Sequence, residues 1–545
     1  MTKSLDDELT RADVPADAAA DGRDTNGSRP VPPRSTPPPP PAPPVTGPPA
    51  TGWGLPLAVL ITGMFMSVLD LSIVNVAIPS IRKDLGASID SVQWISTAYS
   101  LTEGVMVPAS AWLGARFGLK RLYVALIVLF TIASLLCALS SGLGGLIAFR
   151  IVQAIPGGVL PVTCMTILFR IVPKEKLGAA MGMYGLGIVV APGIGPTLGG
   201  YLVEHTNWRV IFLINVPVGI LGAIAAAIWL TKFPAEKSKP FDFVGFTFIA
   251  ASLFSLLLAL EEGDNWGWSD YRTVMLFLGA AVFMALFIVV ELHVEHPVLD
   301  IRVFKHWPFV NSLLLISTMS IGLFAVLFYV PSFLQDAQGW TPLNTGLTLL
   351  PQALAMALLM PFAGLLYDKV GARWPAAVGL ALVGSGILLL SRINVDITRG
   401  ELILGMVVMA TGMALGMMPI MTGGLSVLPP EITDSGSAIN TLTQRVSSAL
   451  GLAMMTAMVQ DNSAQFMSDR STLMESGSNP QLTEMQQQGT AGLLPMYQEV
   501  AGQVQAAAYS SGFFIAGSLT LIGVVLAFFL RSGKPAAGAD KPVAH

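Results

Sequence analysis

Four ionisable side chains interrupt long apolar runs: Asp70, Glu103, Arg150 and Arg445. A charge held at the middle of a lipid bilayer costs at least about 2.5–3.5 kcal/mol, and residues kept there at that cost usually line a path for ions or substrate, or pair with one another. Burial disfavours the charged form of a carboxyl group and a neighbouring cation favours it. Asp70 or Glu103 therefore has the chemistry to load a proton from one side and discharge it to the other. Asp70 and Arg150 could equally form a static buried pair. Arg150 suits the part of counter-ion as well as that of switch, and Arg445 could snorkel toward the membrane surface.

The elements that must hold these groups are of one kind. From Trp53 onward, apolar runs of about 20 residues recur, each enough to cross a hydrocarbon core. They fall at 55–80, 92–113, 122–141, 145–169, 177–202, 209–231, 243–261, 273–292, 310–333, 345–367, 374–391, 402–427, 436–460 and 509–530, fourteen in all, with twelve as the competing count. The polar break Gly263 to Asp270 separates the seventh from the eighth. The composition agrees: 53% of the 545 residues are hydrophobic and 12% charged, with a mean hydropathy of +0.66. Soluble proteins carry roughly 25% charged residues. A net charge of -4 leaves no basic face for nucleic acid. Cys137 and Cys164 both sit in apolar runs and read as small buried hydrophobes.

Residues 1–52 are a separate object, a proline-rich segment (Pro37 to Pro41, on to Pro49) whose composition predicts a disordered cytoplasmic tail. It lacks the basic start, apolar core and cleavage site of a signal peptide. Lys and Arg in the short loops set the orientation. Sixteen fall on the side of Arg116, Lys120, Arg121, Arg170 and Lys174, and seven on the side of Arg82, Arg209 and Arg272. Both termini are thereby expected in the cytoplasm, with 531–545 a second cytoplasmic tail. The long outer segment 461–508, rich in Gln and Ser, is expected to form a partly helical cap.

The loop after the second run reads Leu113-Gly-Ala-Arg-Phe-Gly118-Leu-Lys-Arg121, and the loop after the tenth reads Gly364-Leu-Leu-Tyr-Asp368-Lys-Val-Gly371-Ala-Arg373. This internal echo points to repeated halves around a midplane site, the architecture of secondary transporters. The only Gly-Lys pair, Gly533-Lys534, is followed by Pro535, so no nucleotide-binding loop is present to drive an ATP pump. No cofactor is expected and no enzyme. The cluster Glu291, His293, Glu295 and His296 reads as a solvated loop rather than a metal site. In the fifth run, Gly193, Gly195, Gly199 and Gly200 provide small surfaces and Pro192 and Pro196 remove helical hydrogen bonds. A bent helix with small faces suits a rocking interface; plain tight packing explains it as well.

At these residues the chain resembles the major facilitator superfamily, in particular its branch of fourteen-span drug:proton antiporters. Leu69-Asp70-Leu-Ser-Ile-Val-Asn75-Val-Ala77-Ile-Pro79 is similar to that branch's first-helix motif, and Leu146 to Gly158, containing Arg150 and Gln153, to its fourth-helix motif. Gly195-Pro196 to Gly199-Gly200 resembles the antiporter motif of helix five. Asn207-Trp208-Arg209 to Asn215-Val-Pro217-Val-Gly219 resembles a phrase typical of the fourteen-span branch, and Pro297 to Phe304 and Leu349 to Pro351 resemble later ones. Three departures stand out. Ala115 and Leu119 occupy positions that in the family hold an aspartate and a basic residue, although Asp368 keeps the acid of the second copy. Glu103 stands where relatives are commonly apolar. Gln444-Arg445 reverses the family's arginine-glutamine order.

The resemblance implies an all-α polytopic membrane protein: a six-helix bundle over 53–231, two inserted helices over 232–308, and a second six-helix bundle over 309–530. It implies proton-coupled export of lipophilic, cationic compounds across a bacterial cytoplasmic membrane. Asp70, Glu103 and Arg150 would handle proton and substrate, and Gly118, Arg121, Gly195, Pro196, Gly199, Gly200, Asp368 and Gly371 the conformational change. The partners expected are a small lipophilic substrate, protons and the bilayer, for a protein acting as a monomer. The alternatives are an exporter of an endogenous lipid or hydrophobic metabolite, or a non-transporting membrane sensor or scaffold.

Overall fold

In lipid, every backbone amide and carbonyl must find its partner within the protein, so an uninterrupted apolar run becomes a helix. The computed structural model describes residues 52–233, 240–429, 431–475 and 490–530, and all fourteen apolar runs within them are helical. The proline-rich tail, the C-terminal tail from 531 and the middle of the segment 461–508 lie outside the described residues.

The first eight helices are α1 (Gly54–Leu85), α2 (Ile89–Met106), α3 (Ala109–Phe117), α4 (Leu119–Ala138), α5 (Leu143–Ile171), α6 (Leu177–His205), α7 (Val210–Leu213) and α8 (Asn215–Trp229). The run at 92–113 is thus two helices, parted at Pro108, and α7 and α8 share another. The inserted pair is α9 (Phe243–Trp266) and α10 (Tyr271–His293). Then follow α11 (Trp307–Ser332), α12 (Pro342–Val370), α13 (Arg373–Leu390), α14 (Arg399–Leu425), α15 (Thr433–Glu475) and α16 (Thr490–Ala527). The last two extend into the segment 461–508, so that part of it is helical.

Among the described residues, 12 helical segments are each long and apolar enough to cross a membrane. The two remaining runs are α2–α3 and α15, which hold Glu103 and Arg445. They fall short because one is broken by proline and the other starts with the polar stretch Thr433 to Ser448. The two least apolar spans therefore carry charges that meet each other.

Packing follows the chain's two halves. In the first, α1 lies against α5, α6 and α8, α2 against α5, and α4 against α5 and α8; in the second, α13 lies against α14 and α16, and α11 against α14, α15 and α16. The α13–α14 contact is backbone to backbone: a Cβ on Gly379 would lie 2.6 Å from Gly416 Cα, and one on Gly412 2.5 Å from Val383 N. Such closeness gains dispersion contacts where lipid supplies no hydrophobic drive between helices. Across the halves, α6 meets α12 and α5 meets α15, while α9 leans on both α2 and α15. Outermost lies α10, with Met275, Leu278, Val289 and Leu292 exposed on its surface, as a lipid-facing helix requires.

The repeated loops found in the sequence share one local geometry. Gly118 ends α3 with φ +78° and Gly371 ends α12 with φ +80°, and each donates its N–H to the carbonyl four residues back, Gly114 at 3.0 Å and Tyr367 at 2.8 Å. A side chain is strained at such φ values, which is why glycine punctuates both turns.

Candidate functional site: two ion pairs inside a helical bundle

Asp70, fully buried on α1, is the meeting point of the first half. Arg150 of α5 pairs with its Oδ2 through Nη1. Its Oδ1 accepts from Gln153 Nε2 at 3.0 Å and from Asn215 Nδ2 at 2.8 Å. Arg150 Nη1 also donates to Gln153 Oε1 at 2.8 Å, and Asn215 Nδ2 to Ser134 Oγ at 3.1 Å. Ser134 in turn donates to the Phe212 carbonyl at 2.9 Å. The guanidinium of Arg150 lies over the Tyr99 ring, 3.9 Å from its centroid, with Phe212 at 5.7 Å. Helices α1, α2, α4, α5, α7 and α8 thus each contribute a contact to one network.

This arrangement has a definite chemical capacity. The carboxylate accepts from three donors and is shielded from water, so a proton arriving on it changes the charge that those donors meet. A protonated Asp70 would weaken its charge-assisted bond to Arg150, leaving that side chain held by Gln153, the Ile95 carbonyl and the Tyr99 ring. Removing one member of such a buried pair costs about 3–5 kcal/mol, because the other charge is left uncompensated.

Glu103 is not part of this network. One turn beyond Tyr99 on α2, it is 1% exposed and pairs through Oε1 with Arg445 Nη2 of α15, whose side chain is 28% exposed. The sequence separation is 342 residues, so the bond joins the two halves. Two further links lie at the basic end of the bundle. Asp368, at the end of α12, accepts from the Gly178 amide at 2.9 Å through Oδ1 and from the Ala179 amide at 3.2 Å through Oδ2. A carboxylate there satisfies the unpaired amides of the first turn of α6 and faces the positive end of its dipole. Arg170 Nη2 of α5 lies 2.8 Å from Asp434 Oδ2 of α15.

The other sequence candidates fall in different places. Gly195 and Gly199 face α1 within their own half, where Ser72 and Ile73 would be struck by a Cβ, and Ser72 Oγ donates to the Pro192 carbonyl at 3.3 Å. The glycines of α6 that meet α12 are instead Gly178, Gly182, Gly185 and Gly193. Pro196 lies within the continuous helix α6, and Gly200 opens onto free space. Arg121 is exposed at the start of α4. Glu291 is held by the Leu299 amide at 3.1 Å.

Residues 60–452 match the family described as Major Facilitator Superfamily. The chain belongs to that superfamily. Its relatives include an uncharacterized MFS-type transporter, YhcA, of Bacillus subtilis, 33% identical over 403 residues covering 74% of this chain and 76% of that protein. The tetracenomycin C resistance and export protein of Streptomyces glaucescens is 28% identical over 501 residues, 89% of this chain and 92% of that one. Multidrug resistance protein Stp of Mycobacterium tuberculosis is 30% identical over 394 residues, 72% and 73% of the two chains. The fold is like that of the solved proton:xylose symporter XylE bound to 6-bromo-6-deoxy-D-glucose, with a TM-score of 0.56, 12% identity, and coverage of 88% of this chain and 96% of that one.

This Major Facilitator Superfamily chain is a transporter, and its network holds residues that a search for charges passes over. Gln153 and Asn215 lie within the quoted motifs but are neutral. The signal for Gln153 was its place three residues from Arg150, on the same helix face. For Asn215 it was an amide inside an otherwise apolar run. Tyr99 is an aromatic in a span, where packing is the ordinary role, and no local pattern marks its position under the guanidinium.

Proposed function

We propose that this transporter exports lipophilic, cationic compounds across a bacterial cytoplasmic membrane in exchange for protons. The observation that carries the reading is the buried Asp70–Arg150 pair, a carboxylate whose three donors lie within an apolar bundle and meet a changed charge when it takes a proton. The names of the relatives favour drug or antibiotic export. The bundles 53–231 and 309–530 rock against each other along α6 and α12 as a monomer, exposing the middle of the membrane to one side and then the other. The loop charges favour the basic end, with both termini, on the cytoplasmic side. One proton provides about 2.3 kcal/mol per 100 mV and about 1.4 kcal/mol per pH unit. For a neutral cargo both terms count and sustain gradients of roughly a hundredfold to several thousandfold under ordinary conditions, whereas one-for-one exchange with a singly charged cation moves no net charge and draws on the pH term alone, about tenfold per pH unit.

Everted vesicles energised to an acidic interior test the reading. Addition of ethidium is expected to dissipate the pH gradient with the native protein and not with Asp70→Asn. No response from well-inserted native protein would remove ethidium-like cations as cargo. A second reading, export of one hydrophobic metabolite, draws on the tetracenomycin C export protein, whose similarity runs along nearly the whole chain. Its signature is proton movement with that cargo and none with ethidium.

A further inference from the structure

Asp70 has no oxygen left to meet a cargo: Oδ2 faces Arg150 and Oδ1 accepts from Gln153 and Asn215. Glu103 differs. Its Oε1 pairs with Arg445, but its Oε2 is buried without a hydrogen-bond partner. The Tyr99 hydroxyl, four residues earlier on the same face of α2, is a second buried polar atom without a partner. These groups are neighbours, since a Cβ built on Gly157 of α5 would lie 2.7 Å from Tyr99 Oη and 3.7 Å from Glu103 Cγ. Gly157 and Gly158 are what let α2 pack this closely on α5; a Cβ on Gly158 would strike the Glu103 carbonyl.

Buried polar groups in folded proteins are nearly always hydrogen-bonded, so two unpaired ones side by side call for a partner. A free carboxylate oxygen next to a phenol hydroxyl, within an apolar bundle, is what a lipophilic cation bearing N–H groups needs. The cation that Glu103 now holds comes from the other half of the molecule, and it is the more exposed member of the pair. Arg445 is thus the member that can leave.

We propose that Glu103 is the group that recognises positively charged cargo, and that the cargo reaches it by taking the place of the Arg445 guanidinium. Arrival of the cargo then releases α15 from α2, so filling the site and loosening the two halves are one event. Neutral molecules have no charge with which to displace Arg445 and enter poorly. This inference rests on the export reading above and divides its two carboxylates, with Asp70 serving the proton and Glu103 the cargo.

Fluorescence anisotropy of ethidium with the purified full chain in detergent tests it. Glu103→Gln is expected to weaken binding roughly 10- to 100-fold, the loss of one charge-assisted contact. Glu103→Asp, which keeps the charge, loses far less. Arg445→Gln removes the competing cation and tightens binding several-fold. A purely structural pair would move Glu103→Gln and Arg445→Gln in the same direction, and that result overturns the proposal, as does unchanged affinity in a Glu103→Gln protein with a native melting curve. If Glu103→Gln does not fold, the sign of the Arg445→Gln effect and the affinity of Glu103→Asp still decide. Native protein that exchanges protons for ethidium while Glu103→Gln binds it equally well defeats this inference alone. Native protein that neither binds ethidium nor moves protons with it defeats the cationic export reading as well.

Discussion

Gly178 at the start of α6 and Gly364 near the end of α12 stand backbone to backbone across the two halves, so that a Cβ on either would collide with the carbonyl oxygen of the other. Asp368 completes the joint by accepting from the Gly178 and Ala179 amides. The approach permitted by the glycines is what brings the carboxylate within reach of those amides. This joint couples a steric fit to an electrostatic one, and the two can be tested apart.

Gly364→Ala adds one methyl group at a contact with no room for it. Overpacking of this kind costs about 1–3 kcal/mol. The expected result is a population shift away from the clasped arrangement, read as a longer spin-label distance between the basic ends of α6 and α12. Stability of each half should change little. An unchanged distance distribution would show that the helices part here at no cost.

Asp368→Asn keeps the shape and removes the charge. Its oxygen still accepts one amide, but the second amide and the helix dipole lose a negative partner, worth about 0.5–2 kcal/mol together. The same labels should report a smaller shift in the same direction, and the double variant with Gly364→Ala should be less than additive, because both changes act on one contact.

Arg150→Lys preserves the charge and loses the geometry. The guanidinium serves Asp70 and Gln153, reaches the Ile95 carbonyl at 3.4 Å through Nε and covers the Tyr99 ring. A lysine ammonium is a point charge and does not reproduce that planar fork. Ethidium-dependent proton movement is expected to drop at least about tenfold, equivalent to 1.4 kcal/mol in the barrier, with insertion into the membrane unaffected. Full activity would reduce Arg150 to a plain counter-ion.

Arg170→Gln provides the contrast. The Arg170–Asp434 pair also links the halves, but Arg170 is 43% exposed. Exposed pairs contribute about 0–1 kcal/mol. Thermal unfolding and transport should both stay close to native, and a large loss would mean that the pair is shielded during the transport cycle.

The sequence made the helices legible because membrane spans need long apolar runs, and Asp70 and Arg150 stood out as charges within them. Their pairing was one of two open readings. What local pattern could not supply is the direction of a side chain between halves. Glu103 and Arg445 are 342 positions apart, and only the packed bundle shows that they meet. Helix α6 shows the same limit. Gly195 and Gly199 face α1, whereas Gly178 and Gly182 of the same helix face α12, because a helix rich in glycine has small surfaces on several sides. The neutral members of the Asp70 network, Gln153 and Asn215, carry no charge to betray them in an apolar run. Their work becomes visible only beside the carboxylate.

The inserted hairpin changes what the link between the halves is. Helix α9 rests on α2 of one half and on α15 of the other. If those two helices part, at least one of the two contacts must slide or open, by the shear of packed helices or by separation. The connection is therefore a bearing surface within the bilayer rather than a slack tether. The hairpin's other helix, α10, turns its exposed apolar side chains outward, so the surface that flanks this contact is the one lipid covers.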